Sequence, residues 1–175
     1  SGASQARRLS GIKSFFNFLL LGDRIEQLPT DRVDAPKAER LLPDVLTIEE
    51  VDAMLRTFDL TTAKGCRDSA IVEVLYSTGL RVSELTALRI DNLFFGEGYV
   101  RVIGKGDKER IVPIGHTAKK FVLLYTEGAR LHVKIQKGCE DIVFLNRRGA
   151  QLSRQMAFLL VKKYAELAGI TKEIS

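Results

Sequence analysis

Cysteine and histidine are scarce in this 175-residue sequence, which contains two of each. Cys66 and Cys139 lie far apart, without a C-x-x-C pair or a histidine at ligand spacing. The sequence therefore predicts neither a disulfide framework nor a zinc site. His116 and His132 fit no metal-binding or catalytic-triad pattern, so we expect both at the surface.

A long hydrophobic run is also missing. The most apolar stretch, Phe15–Leu21, follows Arg7, Arg8 and Lys13 as the core of a signal peptide follows its basic segment. It contains Asn17, it is far shorter than the roughly 20 residues of a membrane-spanning helix, and no small-residue cleavage site follows it. We therefore expect a cytoplasmic protein without a membrane partner.

Two common enzyme signatures are absent as well. The segment Gly104-Lys105-Gly106 lacks the spacing of a phosphate-binding loop, and no Gly-x-Ser-x-Gly motif of a hydrolase is present. The sequence does contain an excess of basic residues, because 27 Lys and Arg against 22 Asp and Glu give a net charge of +5. Such a mild excess suits a polyanionic partner but does not identify one.

The first 46 residues predict a helix and a linker. Residues 1–22 carry apolar side chains at steps of three and four, a pattern typical of one helical face. Because a lone helix cannot bury such a stripe, we expect it to be the last helix of an incomplete domain. Residues 23–46 lose the periodicity and contain Pro29, Pro36 and Pro43 among charged residues, which predicts an extended linker.

Residues 47–175 predict one α+β domain that is mainly helical. Thr47 and Glu50 have the spacing of a capping box at a helix start, and Gly79 can close a later helix in the left-handed conformation. Three β-rich runs separated by glycines predict a small three-stranded antiparallel sheet. The strands are expected over 93–95, 99–103 and 110–114, and the helices over 47–58, 67–78, 82–88, 117–133 and 153–168.

Two blocks of this domain resemble the tyrosine recombinase (phage integrase) family, in particular its Xer-type branch. The first block is Ser77-Thr78-Gly79-Leu80-Arg81-Val82-Ser83-Glu84-Leu85. The second block is Val100-Arg101-Val102-Ile103-Gly104-Lys105-Gly106-Asp107-Lys108-Glu109-Arg110. The resemblance implies a partial catalytic domain of an enzyme that cleaves and rejoins DNA through a 3′-phosphotyrosyl intermediate, without a metal or other cofactor.

The resemblance assigns chemical roles to three residues. Arg81 matches the first catalytic arginine of the family, whose planar guanidinium can hold both non-bridging phosphate oxygens as charge develops on them. Lys105 matches the hairpin lysine that protonates the departing 5′-oxygen. Glu84, three residues after Arg81, is expected to orient the site. Taken alone, Arg81 could simply pair with Glu84 at the surface, and Lys105 could be a solvated turn residue.

The nucleophile of the family has no counterpart in this sequence. Family members continue with a His-x-x-Arg motif, another His or Trp, and the reactive tyrosine, whereas this sequence ends at Ser175. We expect its four tyrosines, Tyr76, Tyr99, Tyr125 and Tyr164, to be core or surface residues. The chain itself is therefore expected to bind DNA as a monomer without cleaving it.

Several basic residues are candidates for contact with the DNA backbone. In the family, the segment equivalent to the one that leads into the last helix here approaches the DNA backbone. The first helix of this chain resembles the end of the family's core-binding domain, which clamps the opposite face of the duplex. Lys108 and Arg110 lie in the lysine-bearing hairpin. The resulting set is Arg7, Arg8, Lys13, Lys108, Arg110, Arg147, Arg148 and Arg154.

Three functions remain open from the sequence. The first is site-specific recombination by a longer protein, tetrameric on paired DNA sites, in chromosome partition or in integration of a mobile element. The second is a catalytically inert, recombinase-derived DNA-binding regulator. The third, an RNA-binding basic domain, needs exposed stacking aromatics on the sheet, and we expect Phe94, Phe95 and Tyr99 to be core residues instead.

Overall fold

The computed structural model describes residues 2–36, 44–104, 106, 108–172 and 174, with only the backbone of Ala3. The chain divides into two compact units, Ser1–Pro43 and Asp44–Ser175. None of the helices in the described ranges is long and apolar enough to cross a membrane.

The first unit contains the predicted helix, α1, over Gly2–Leu21. Ile12 of its apolar stripe is exposed, and the other members are half-buried, namely Ala6, Leu9, Phe16, Leu19 and Leu20. The predicted linker forms turns around residues 29–32, where the amide of Asp31 donates to the Leu28 carbonyl and that of Val33 to the Thr30 carbonyl, while residues 44–46 form no turn.

The second unit holds five α-helices among its described residues, and these support the predicted helical character. The capping box at the start of the first of them is confirmed, because the Glu50 amide donates to Thr47 Oγ1 and the Thr47 amide donates to Glu50 Oε2. The helices are α2 (Ile48–Leu55), α3 (Ala63–Thr78), α4 (Val82–Thr86), α5 (His116–Thr126) and α6 (Arg154–Leu167), with 3-10 turns at Ile90–Asn92 and Ala129–His132.

Three predicted helix boundaries were wrong by three residues or more. The second predicted helix begins four residues earlier, because the Thr62 hydroxyl accepts the Gly65 amide and caps α3 there. The helix predicted over 117–133 is interrupted, since the backbone of Gly128 leaves the helical region (φ −112°, ψ −97°) and a 3-10 turn follows. The first helix of this unit ends at Leu55, before the buried Phe58.

The predicted antiparallel sheet is confirmed, with strands β1 (Leu93–Phe94), β2 (Tyr99–Ile103) and β3 (Glu109–Pro113) in the order β1-β2-β3. One face packs on the core, where Val100 and Val102 are buried.

The opposite face of the sheet carries aromatic side chains that were expected in the core. Phe94 pairs in register with Tyr99, and their rings stack with centroids 4.9 Å apart. Both are only half-buried, as is Phe95. The core prediction was therefore wrong for Phe94 and Tyr99, because strand alternation turns Tyr99 away from the buried face of Val100, whereas Phe95 packs against the core as predicted.

Helix α3 forms the centre of the second unit and packs against α2, α4, α5 and α6. Ala70, Ile71 and Val74 are completely buried. Full burial of a side chain the size of Ile71 or Val74 contributes about 1.5–3 kcal/mol relative to exposure. The buried part of α3 anchors the helix, and its exposed last turn leads into the segment that follows it.

Candidate active site

The turn between α3 and α4 places Arg81 at the surface. Gly79 closes α3 in the left-handed conformation (φ 60°, ψ 27°), where its amide donates to the Leu75 carbonyl. Leu80 is then buried in the core, and the extended backbone of Arg81 (φ −64°, ψ 148°) directs its side chain outward. That side chain is 71% exposed.

Glu84 is the buried centre of the site, with a side chain that is only 3% exposed. Its Oε2 accepts the backbone amide of Arg81 at 2.8 Å and Nη2 of Arg110 at 2.6 Å, and its Oε1 accepts Nη1 of Arg81 at 3.0 Å. Burial acts to raise the pKa of Glu84, but these hydrogen bonds outweigh burial and hold the pKa below its ordinary value. The carboxylate is therefore charged at neutral pH.

The β2–β3 hairpin meets the same carboxylate from the other side. The Gly104 amide donates to the Lys108 carbonyl at 2.8 Å and closes the base of the hairpin loop. A Cβ at Gly104 would lie 3.5 Å from Glu84 Oε1, so the loop base lies directly against Glu84. The predicted acid Lys105 lies outside the described residues, between the described Gly104 and Gly106.

This arrangement can bind an oxyanion of a phosphodiester. Within the described chain, the Arg81 guanidinium bonds only to Glu84, through Nη1. A guanidinium presents five N–H donors in a planar fork that matches two phosphate oxygens. The anchored but exposed Arg81 is consequently oriented by Glu84 while most of its donors remain open to a ligand.

The basic residues predicted to contact DNA occupy separate positions in the fold. Arg147 and Arg148 are exposed in a turn that Asn146 Oδ1 stabilises by accepting the amides of Arg148 and Ala150. Arg154 is exposed at the first residue of α6. Lys108 and Arg110 are both exposed in the hairpin, and Arg110 also bonds to Glu84.

The remaining predicted basic residues belong to the first unit. Arg7 and Arg8 are exposed on α1, and Lys13 is half-buried.

The histidines and two of the tyrosines occupy positions that the sequence predicted. His116 and His132 are exposed, as expected. Tyr125 and Tyr164 are buried in the core.

Sequence reasoning missed a second ionic cluster, buried beside α6. Asp68 is completely buried and accepts Nε and Nη2 of Arg67 on Oδ1, at 2.9 and 2.7 Å. Its Oδ2 accepts Nζ of Lys64 at 2.7 Å and the Tyr164 hydroxyl at 3.0 Å. Arg67 also donates to the Leu145 carbonyl. The sequence signal for this cluster was the pair of adjacent charged residues, Arg67 and Asp68, at the start of the apolar stretch of α3.

The second omission was the link between Arg110 and Glu84. The two residues are 26 positions apart, and only the sheet brings them together. The sequence offered one signal, because Arg110 lies two residues before the apolar Val112 and strand alternation places both on the core-facing side of the sheet.

Comparisons with known proteins agree with this geometry. Residues 44–175 match the Phage integrase family. The chain is 40% identical over 175 residues to tyrosine recombinase XerD of Listeria monocytogenes serotype 4b (strain F2365), a match that covers all of this chain and 59% of the relative. The chain thus spans less than two thirds of that relative's length.

Solved structures show the same fold. The crystal structure of XerA recombinase superposes with a TM-score of 0.66 at 27% identity, covering 94% of this chain and 55% of the other. XerH site-specific recombinase, bound to palindromic difH substrate in a post-cleavage complex, gives a TM-score of 0.69 at 21% identity, covering 95% and 50%. Because the family match includes α2 to α6 and both motif blocks, this chain belongs to the phage integrase family of tyrosine recombinases.

Proposed function

We propose that this chain forms part of a site-specific DNA recombinase, in which Arg81 binds the scissile phosphate. The observation that carries the proposal is the pairing of Arg81 with the buried Glu84, which leaves the guanidinium 71% exposed. A charged group that is fixed before the substrate arrives stabilises developing charge without reorganisation during the reaction. In this role Arg81 neutralises the non-bridging oxygens while a tyrosine attacks phosphorus.

Lys105 is proposed as the general acid of the same reaction. The attack forms a 3′-phosphotyrosyl bond and breaks the bond from phosphorus to the 5′-oxygen, which needs a proton to leave as a hydroxyl. The hairpin position supports this assignment, because Gly104 lies against Glu84 and the loop therefore begins beside the partner of Arg81.

We assign the nucleophile and the second catalytic arginine to a longer protein. Of the tyrosines here, Tyr125 and Tyr164 are buried, Tyr99 lies in the sheet and Tyr76 is exposed on α3. In the proposed organisation, residues 1–22 end a core-binding domain, 23–46 are a linker and 47–175 belong to the catalytic domain. The chain alone binds DNA as a monomer without cleaving it.

The cellular setting proposed for the longer protein is the cytoplasm, where it assembles as a tetramer on paired sites. Its reaction serves chromosome partition or integration of a mobile element. The exposed residues Arg147, Arg148 and Arg154, with Lys108 in the hairpin, are proposed to contact DNA phosphates, and Arg7, Arg8 and Lys13 to contact the duplex from the first unit.

Titration of the chain with duplex DNA at increasing salt tests this proposal. Phosphate contacts release counterions, so log affinity should fall linearly with log salt, with a slope near −0.9 for each contact. We expect weak binding with a steep slope at low salt and little binding at physiological salt. Salt-independent binding, or none at low salt, would contradict DNA binding by these basic residues.

A further inference from the structure

Arg110 shares one carboxylate oxygen with the backbone of Arg81. Its Nη2 lies 2.6 Å from Glu84 Oε2, the oxygen that also accepts the Arg81 amide. Two donors on a single oxygen fix the plane of the carboxylate and so the direction of Oε1, which accepts Nη1 of Arg81. The orientation of Arg81 therefore depends on a side chain from the hairpin.

The register of the sheet explains why Arg110 reaches this position. Arg110 is paired with Val102, which is 2% exposed, so the two side chains begin on the face that packs on the core. Lys108 has the same charge in the same hairpin and is exposed like Arg110, but it is not among the partners of Glu84 in the described chain. Two exposed basic residues of one hairpin thus have different partners.

Both ends of the hairpin loop are held near Glu84. On one side a Cβ at Gly104 would be 3.5 Å from Oε1, and on the other side Arg110 bonds to Oε2. Movement of the loop relative to α4 would have to break this ion pair or the Gly104 contact. The pair therefore holds the described ends of the hairpin loop beside the carboxylate that also binds Arg81.

We infer that Arg110 is a positioning residue, which aligns Arg81 and the hairpin loop through Glu84, and that its main role is not a direct phosphate contact. This inference rests on the proposed function for its consequence at the phosphate. Its structural part, the dependence of Glu84 and Arg81 on Arg110, does not require that DNA be the ligand.

The first test is an NMR titration of the Glu84 carboxyl group together with the amide shift of Arg81. Arg110→Ala should raise the pKa of Glu84, because the variant loses a donor to the carboxylate. It should also change the chemical shift of the Arg81 amide, because that amide and Arg110 donate to the same oxygen of Glu84. Arg110→Lys should give an intermediate pKa, and Lys108→Ala, the charge-matched control, should leave it unchanged. An unchanged pKa in both Arg110 variants, or an equal change in the control, would overturn the inference.

The second test is a double-mutant cycle on duplex affinity at low salt. Arg110→Ala should weaken binding between about two- and tenfold in the native chain but have little effect once Arg81→Ala is present, since coupled residues are not additive. Lys108→Ala should weaken binding equally in both backgrounds. Additive losses for Arg110, with a salt slope lower by about one, would make it a phosphate contact and contradict the inference.

The two tests separate the inference from the proposed function. If the native chain does not bind DNA, the proposed function fails, while the Glu84 titration still decides whether Arg110 positions the site. If Arg110→Ala does not fold, Arg110→Lys carries both measurements, because it retains the charge and changes only the geometry of the donor.

Discussion

The second unit contains two clusters in which one buried carboxylate bonds to two basic side chains, Arg67 and Lys64 at Asp68 and Arg81 and Arg110 at Glu84. At Asp68 the guanidinium of Arg67 is also buried, with its side chain 9% exposed, and it bonds to the carbonyl of Leu145. At Glu84 the two arginines remain accessible, with side chains 71% and 42% exposed.

The comparison separates a structural ion pair from a binding site. In the first cluster the Arg67 guanidinium bonds to Asp68 and to the Leu145 carbonyl, and Asp68 also accepts the Tyr164 hydroxyl of α6. These bonds connect α3 with α6 and with the segment near Leu145. In the second cluster the carboxylate bonds to one edge of Arg81 and leaves the remaining donors toward solvent. Lys64, which also bonds to Asp68, is 49% exposed, so the clusters differ in the exposure of the arginine beside each carboxylate, 9% for Arg67 and 71% for Arg81.

The largest expected effect concerns catalysis by the longer recombinase and separates Arg81 from Lys105. Lys105→Ala should slow cleavage of ordinary DNA by roughly 10²- to 10⁴-fold, as loss of a general acid does. A bridging 5′-sulfur leaves as a thiolate whose conjugate acid has a pKa of about 8.5, so it should restore most of the lost rate. Arg81→Ala should stay slow, because charge on the non-bridging oxygens develops with either leaving atom.

Single-turnover cleavage of the oxygen and sulfur substrates by both variants makes this comparison. Equal rescue of the two variants, or rescue of neither, would remove the basis for Lys105 as the acid.

The next effect is on folding and belongs to the buried cluster. Asp68→Asn should destabilise the chain by about 3–5 kcal/mol, because it leaves Arg67 buried without its counter-charge. Glu84→Gln should cost less, since Arg81 and Arg110 can turn to water. Urea unfolding of both variants gives the difference, and a Glu84→Gln loss equal to or greater than that of Asp68→Asn would contradict the distinction between the clusters.

A smaller effect is expected in the pH dependence of stability. The pKa of Glu84 is lowered from its ordinary 4.5, so its contribution to folding is complete above that pH and is lost as the pH falls through the lowered value. The free energy of unfolding of Glu84→Gln should therefore fall less steeply below pH 4.5 than that of the native chain. Urea midpoints measured from neutral pH downward should converge for the two proteins in acid, and parallel curves would contradict the assignment.

The fold could be predicted largely because its signals are local. The capping box at Thr47, the left-handed Gly79 and the alternation around Val100 each depend on a few neighbouring residues. The interruption after α5 was missed because the apolar periodicity continues through Gly128, and only the backbone there shows the break.

The candidate site could be predicted only where its residues are close in sequence. Arg81 and Glu84 are three positions apart, and their motif identifies them together. Arg110 reaches Glu84 through the pairing of β2 and β3, and Tyr164 reaches Asp68 across 96 positions. Such contacts depend on the packing of distant elements, which sequence periodicity does not contain.

The central claim is that Arg81, exposed beside a buried carboxylate, binds a DNA phosphate. Arg89 is the matched control, because it is also exposed (52%) and pairs with an acid, Asp141, but lies outside the cluster. The most direct measurement is the salt dependence of duplex binding by Arg81→Ala and Arg89→Ala. We predict that Arg81→Ala weakens binding and lowers the magnitude of the salt slope by about one, while Arg89→Ala matches the native chain. A native slope and affinity in Arg81→Ala would contradict the account.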